Sequence, residues 1–181
     1  MSRTAAVVLA AGAATRFGSP KQRLLLPRVL DRLAASPVDE VVVVEGAYGL
    51  RVESPQASVR VVHCEDWERG PGASLRCGLA ALGPGVEAAV VCLADGPNLS
   101  PHAVRRVLTA WRAGAGSVVA ASYTGERGHP VLIARAAWEG IPDEGMKELP
   151  ATLIPCDDLG TPGDVDSADD IGRLGQPLDE H

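Results

Sequence analysis

Short runs of Val and Ala, hardly interrupted by polar residues and set between Gly and Pro, recur along the chain at 5–10, 41–44, 59–63, 88–94 and 118–121. A strand with one wet face alternates apolar and polar positions. These runs do not, so they read as strands buried on both faces, the pattern of a parallel sheet. Between them the spacing turns helical. The clearest case is 100–112, where Val104, Val107, Leu108 and Trp111 fall on one face. Ser100 suits the N-cap there, and Pro101 suits the first helical position, where its missing N–H costs nothing. Weaker helices are predicted over 28–35, after Pro27, and over 73–82, with Leu75, Leu79 and Leu82 on one side. A last helix is predicted from Ser167, with Asp169 and Asp170 near the positive end of its dipole.

Strands alternating with helices predict a single α/β doubly wound (Rossmann-like) domain over 1–175, with a mostly parallel sheet, helices on both faces and a disordered tail at 176–181. In such sheets ligands sit outside the carboxyl ends of the strands. Function is therefore to be sought in the residues just beyond each strand.

Composition narrows the classes. At 181 residues, 46% apolar and 22% charged, the chain has the make-up of one globular domain. Its 17 Lys and Arg against 23 Asp and Glu give a net charge of -6, which repels polyanions and argues against nucleic acid or an acidic membrane face as partner. Any phosphate it binds needs a local basic pocket. The four cysteines, Cys64, Cys77, Cys92 and Cys156, form no C-x-x-C pair and read as buried free thiols in a reducing compartment. Arg3 followed by the apolar 5–14 superficially suggests a signal peptide, but the stretch lacks a Leu-rich centre and runs into a motif with its own explanation. No apolar segment reaches the ~20 residues that span a bilayer. A soluble, cytoplasmic protein is expected.

The first strand leads into Leu9-Ala10-Ala11-Gly12-Ala13-Ala14-Thr15-Arg16-Phe17-Gly18-Ser19-Pro20-Lys21. Small residues let backbone N–H groups approach an anion, and Arg16 and Lys21 add two positive charges, which together suit a triphosphate. The loop is neither a Walker A nor a G-x-G-x-x-G fingerprint, and a flexible turn with two solvated charges fits the same residues. The fourth strand ends at Asp95 before Gly96-Pro97. That carboxylate is placed either to form a turn or to hold Mg²⁺, which takes one or two protein carboxylates and completes its shell with water and phosphate oxygens. Asp164 and Asp166 point the same way on an extended segment, so they could share a metal, or one could orient while the other binds; the same stretch is also an ordinary helix-capping sequence. The segment around Gly70, Gly72 and Ser74 opens a helix whose first N–H groups suit a base or phosphate, and Arg127-Gly128-His129-Pro130 offers a cation and an imidazole in a loop after the fifth strand.

In order along nearly the whole chain, these segments resemble the MobA-like nucleotidyltransferases, and among them the molybdenum cofactor cytidylyltransferases. The resemblance rests on Leu9-Ala10-Ala11-Gly12 with Arg16-Phe17-Gly18 and Lys21, Gly70 with Ser74-Leu75, Leu93-Ala94-Asp95 with Pro97, Gly128-His129-Pro130, and Asp164-Val165-Asp166-Ser167 with Asp170. It implies nucleotide binding by Leu9, Ala10, Ala11, Gly12, Arg16, Lys21, Gly72 and Ser74, with Arg16 and Lys21 also catalytic. It further implies a Mg²⁺ on Asp95 and Asp166, and acceptor binding by His129 and Asp164. The double Ala before Gly12 looks like the cytidylyl branch, so CTP is expected ahead of GTP. The implied acceptor is a small phosphorylated molecule, molybdopterin first, with a molybdenum enzyme or chaperone as a further partner. A transferase acting on a sugar phosphate or other small phosphate, and a non-catalytic nucleotide-binding homologue, are the alternatives. The chain departs from the family pattern at Leu24-Leu25-Leu26-Pro27, where a Gly-x-Pro-Leu loop is usual, at Gly96 for Gln, at Cys64 for Asn and at Lys147 for Arg. These departures fall on the acceptor side of the expected site.

Overall fold

The computed structural model describes residues 2–12, 21–47, 49 and 58–160, without the side chains of 21–23. The predicted helix from Ser167 and the tail at 176–181 lie outside the described residues.

Seven strands form one sheet in the order β3-β2-β1-β4-β6-β5-β7. The central strands are β1 (Arg3–Ala10), β2 (Glu40–Glu45) and β4 (Val86–Leu93), all parallel, with β3 (Val59–His63) parallel at one edge. The Val and Ala side chains of β1, β2 and β4 are cut off from water on both faces, as the unalternating pattern requires, whereas β3, expected to be buried likewise, is half-exposed because it lies at the sheet edge. Successive residues still divide between two cores. Ala6, Val8 and Ala10 pack with α1 (Lys21–Ala34) and α3 (Pro101–Arg112), whereas Ala5 and Val7 pack on the side of α2 (Pro71–Ala80). The helices thus cover both faces of a mostly parallel sheet.

Differences from expectation are local. The α1 helix begins well before Arg28 and runs through Pro27. Pro27 gives up one backbone bond, and the stripe of Leu25, Leu26, Val29, Leu30 and Leu33 buried against the sheet holds the helix across it. The N-cap of α3 matches its sequence signature, with the Ser100 hydroxyl accepting from the His102 N–H at 3.2 Å. The Arg127-Gly128-His129-Pro130 segment is not a loop. It lies within β6 (Glu126–Ala134), which pairs antiparallel with both β4 and β5 (Val118–Tyr123). The hairpin closes in two residues, Thr124 and Gly125, with φ of 53° and 79°, the pair of positive values that a tight primed turn demands. The Thr124 N–H donates to the Asp157 carboxylate, which anchors the turn. A short edge strand, β7 (Thr152–Pro155), pairs parallel with β5.

The thiol expectation is also corrected. Cys64 and Cys77 are joined as a disulfide, while Cys92 and Cys156 are free and buried. Packing α2 against β2 and β3 brings the two bonded Cα atoms to 5.9 Å, inside the bridging range, although they stand 13 residues apart in sequence. Thiol titration of the unfolded protein should find two thiols, rising to four after reduction, and reduction should lower stability by roughly 3 kcal/mol, the effect of opening a loop of about this length. Four thiols without reductant would contradict the bond. Among the described residues no helix is long and apolar enough to cross a membrane.

Candidate active site

The parallel strands β1, β2 and β4 all end at the same edge, and their ends stay tied together beyond the last ladder bonds. Leu9 O accepts from the Ala94 N–H at 3.0 Å, and Ala11 O accepts from the Ala47 N–H at 3.2 Å. The chain from Leu9 to Gly12 is therefore held beside Ala94-Asp95. Ala10 and Ala11 are buried and Gly12 is exposed at the rim.

Beyond Val131, which pairs with Val91, β6 runs on past the end of β4 and carries His129 and Arg127 towards Asp95. Two features fix this stretch. The Tyr123 ring packs so closely on Gly128 that a Cβ there would lie 2.9 Å from two ring carbons, so only glycine fits. The Tyr123 hydroxyl then donates to His129 O at 2.9 Å. Burial pushes that hydroxyl's pKa up to about 12, so it remains a donor at neutral pH.

His129 is held neutral. Burial, and then repulsion by Arg127, push its imidazole down to about 4, against a smaller opposing pull from Asp95. An unfolded histidine titrates near ~6.5. The folded chain therefore refuses a proton that the unfolded chain accepts. His129's contribution to stability is complete above ~6.5, declines as the pH falls, and is lost once the pH passes about 4. The imidazole NMR signals of His129 are expected to stay at their neutral positions down to pH ~5, and a midpoint close to the free value of ~6.5 would contradict this environment.

The third wall is the start of α2, with the segment 141–147 laid across it. Gly72 N–H donates to Asp143 O at 2.8 Å, and Ser74 N–H to Gly70 O at 3.4 Å. These two amides, expected to face a nucleotide, thus already have backbone acceptors, and the Gly72 and Ser74 residues are buried. The Asp143 carboxylate accepts from Arg76 and, at 3.0 Å, from Arg69; Arg76 Nη1 also donates to Ile141 O at 2.7 Å. The Arg76 guanidinium, followed by Arg69, holds the Asp143 carboxyl below the usual carboxylate range, so the contact persists at neutral and mildly acidic pH. Sequence reasoning missed this latch. Its only signal was the pair of arginines flanking the glycines, and their partner lies 67 or more residues further on.

These walls enclose a cavity of about 830 Å³ at the carboxyl ends of the strands, lined by Leu9, Gly96, His129, Arg127 and Lys147 among others. Of the expected site residues, the structure brings Leu9, Ala10, Ala11, Gly12, Asp95 and His129 to this one edge of the sheet. Arg16, Asp164 and Asp166 lie outside the described residues, and Lys21 is described only as the first residue of α1. Among the described residues no group of three or more His, Cys, Asp or Glu side chains is arranged to hold a metal. Asp95 still fits a hard cation, because Mg²⁺ needs only one or two protein carboxylates when phosphate oxygens fill the rest of its shell.

Residues 6–148 match the profile of the MobA-like NTP transferase domain. No curated protein matches at the sequence level. The crystal structure of Rv0371c from Mycobacterium tuberculosis H37Rv is 28% identical, with a TM-score of 0.80 over 96% of this chain and 97% of that one. The same protein in complex with manganese is 26% identical, with a TM-score of 0.74 over 96% and 97%. Molybdopterin-guanine dinucleotide biosynthesis protein A from Archaeoglobus fulgidus is 16% identical, with a TM-score of 0.64 over 93% and 95%, a likeness of fold.

Proposed function

The chain belongs to the MobA-like NTP transferase family, and from that membership we propose that it moves a nucleoside monophosphate, CMP ahead of GMP, from a nucleoside triphosphate to a small phosphorylated acceptor, molybdopterin first. The observation that supports this reading is a convergence at the carboxyl edge of the sheet: Leu9 and His129 line one cavity, the Ala94 N–H ties the Leu9–Gly12 turn to the segment that carries Asp95, and the Asp95 charge acts on His129. On this reading the turn would approach the phosphates, the Asp95 carboxylate would hold the metal, and the neutral His129 ring would hydrogen-bond beside them.

An oxygen of the acceptor phosphate attacks the α-phosphorus in line. The bond from that phosphorus to the bridging oxygen of the β-phosphate breaks, and pyrophosphate leaves with the electron pair. The protein supplies position and charge rather than a covalent intermediate. The main chain from Leu9 to Gly12 lies along the triphosphate, while Arg16 and Lys21 neutralise the departing pyrophosphate. Asp95 and Asp166 would hold the divalent ion, which when bound supplies Lewis-acid charge at the phosphate oxygens; the manganese complex of a relative supports a divalent ion. His129, uncharged at neutral pH, orients the acceptor by hydrogen bonding rather than by taking its proton, with Asp164 as a second acceptor-binding residue. Reactions fed by nucleoside triphosphates belong in the cytoplasm, where the Cys64–Cys77 bond is open to reduction and a molybdenum enzyme or its chaperone would receive the product.

The test is incubation with α-labelled CTP or GTP and Mg²⁺ in the presence of molybdopterin, tracking both pyrophosphate and labelled dinucleotide. Labelled product from CTP, abolished by EDTA, is expected. Turnover undiminished in EDTA would refute the metal role. Labelled product with a sugar phosphate but not molybdopterin would move the acceptor, and nucleotide binding without turnover on any acceptor would make the chain a non-catalytic homologue.

A further inference from the structure

Arg127 holds a position that loop anchoring alone does not explain. Its Nη1 donates to Leu149 O at 2.6 Å, which ties β6 to the segment that carries Lys147. Its Nη2 is buried and has no hydrogen-bond partner among the described residues. Among the described residues only one other buried side-chain N or O atom is in this state, Glu40 Oε1, and that atom has the Arg3 guanidinium 4.0 Å away. A guanidinium nitrogen withdrawn from water and left unpaired is costly, and folded proteins seldom leave such a donor without an acceptor. Arg127 also lines the cavity, two residues before His129 on the same strand, as does the exposed Lys147. The side chains of Leu99, Met146 and Val131 give the same cavity an apolar part.

We propose that Arg127 is the specificity-determining residue of the acceptor subsite, its guanidinium pairing with the phosphate monoester of the acceptor while the rest of that molecule lies against the apolar part of the cavity. This rests on the nucleotidyl-transfer reading. A planar guanidinium matches two phosphate oxygens at once, so Arg127 would fix the direction in which the third oxygen faces the nucleotide. Its bond to Leu149 O makes it a fixed arm rather than a mobile one. Lys147, on the segment that Arg127 ties down, contributes a less directional charge to the same cavity.

The experiment titrates inorganic phosphate calorimetrically into protein saturated with Mg²⁺ and α,β-methylene-CTP, whose bridging carbon blocks transfer. Three proteins are compared: wild type, Arg127→Gln, which keeps a donor for Leu149 O without the charge, and Arg127→Lys, which keeps the charge. Wild type is expected to bind phosphate in the millimolar range. Arg127→Gln should weaken binding about tenfold or more, as losing a charge-assisted pair does, with little change in the affinity for the CTP analogue. Arg127→Lys should recover much of the loss. Phosphate affinity unchanged in Arg127→Gln would overturn the proposal, leaving Arg127 as a loop anchor, and so would a wild type that binds the CTP analogue but no phosphate. Should wild type fail to bind the analogue while phosphate binding still tracks the charge at position 127, the nucleotide reading falls and the anion subsite stands.

Discussion

Asp95→Asn is expected to fold as the parent does and to lose metal-dependent pyrophosphate release by on the order of 10²-fold or more, the scale seen when one preorganised electrostatic group is removed from a transfer site. The substitution keeps the size and the turn-forming ability of the side chain, so the Gly96 N–H bond to Leu93 O and the Ala94 N–H bond to Leu9 O should survive. What disappears is the negative charge. On the proposed reading a divalent ion would lose its carboxylate anchor at Asp95, while the Leu9–Gly12 turn would still be able to hold the triphosphate. The expected signature is a fall in kcat and a higher Mg²⁺ requirement, with nucleotide affinity in the absence of metal little changed. Full activity in Asp95→Asn would show that the carboxylate only shapes the turn.

Gly72→Ala should have the largest effect on the architecture. A Cβ at this position would lie 1.6 Å from Pro142 O, 2.7 Å from Pro142 C and 3.0 Å from Asp143 C. All three are backbone atoms, so no change of rotamer relieves the clash. Either the first turn of α2 or the 141–147 segment must move, and the Gly72 N–H bond to Asp143 O is lost with it. Forcing one methyl into a close-packed site costs roughly 1–3 kcal/mol, and losing the adjoining hydrogen bond adds to that. The comparison is Gly140→Ala, where nothing lies within 4 Å of the new Cβ; it should stay within about 0.5 kcal/mol of wild type in urea unfolding. Because the displaced segment carries Glu144 and Lys147 on the cavity wall, Gly72→Ala should also raise KM for the acceptor. Equal stability of the two alanine variants would mean that the 141–147 segment is not seated on α2 as described.

How far the chain could be read in advance depended on where each signal lay. The strands β1, β2, β4 and β5 were legible because a run buried on both faces must be apolar throughout, and few other elements impose that on successive residues, whereas β3, expected to be buried on both faces, is a half-exposed edge strand with Arg60 and His63 in water. By contrast, β6 opens on Glu126-Arg127-Gly128-His129-Pro130, a polar, proline-bearing stretch that looks like loop, and its hairpin turn is Thr-Gly rather than the stronger Asn-Gly. The short edge strand β7 is mostly exposed and ends at Pro155, so its sequence carries almost no burial pattern. Pro27 hid the beginning of α1 because the sequence cannot show the apolar stripe that carries the helix across it. Asp95 and His129 were marked by local motifs, and the fold brings them together. The Asp143 latch, the Cys64–Cys77 bond and the link from Arg127 to Leu149 were not legible, because each depends on which distant segment the sheet order brings alongside.

The central claim is that the turn after β1 and the carboxylate after β4 form one metal-nucleotide site. Electron paramagnetic resonance of Mn²⁺ titrated into the protein tests it most directly, with and without CTP and in wild type and Asp95→Asn. Immobilised Mn²⁺ is expected in wild type only when CTP is present, with that signal largely lost in Asp95→Asn. Mn²⁺ immobilised to the same extent in the variant, or no effect of CTP on the wild-type spectrum, would contradict the account.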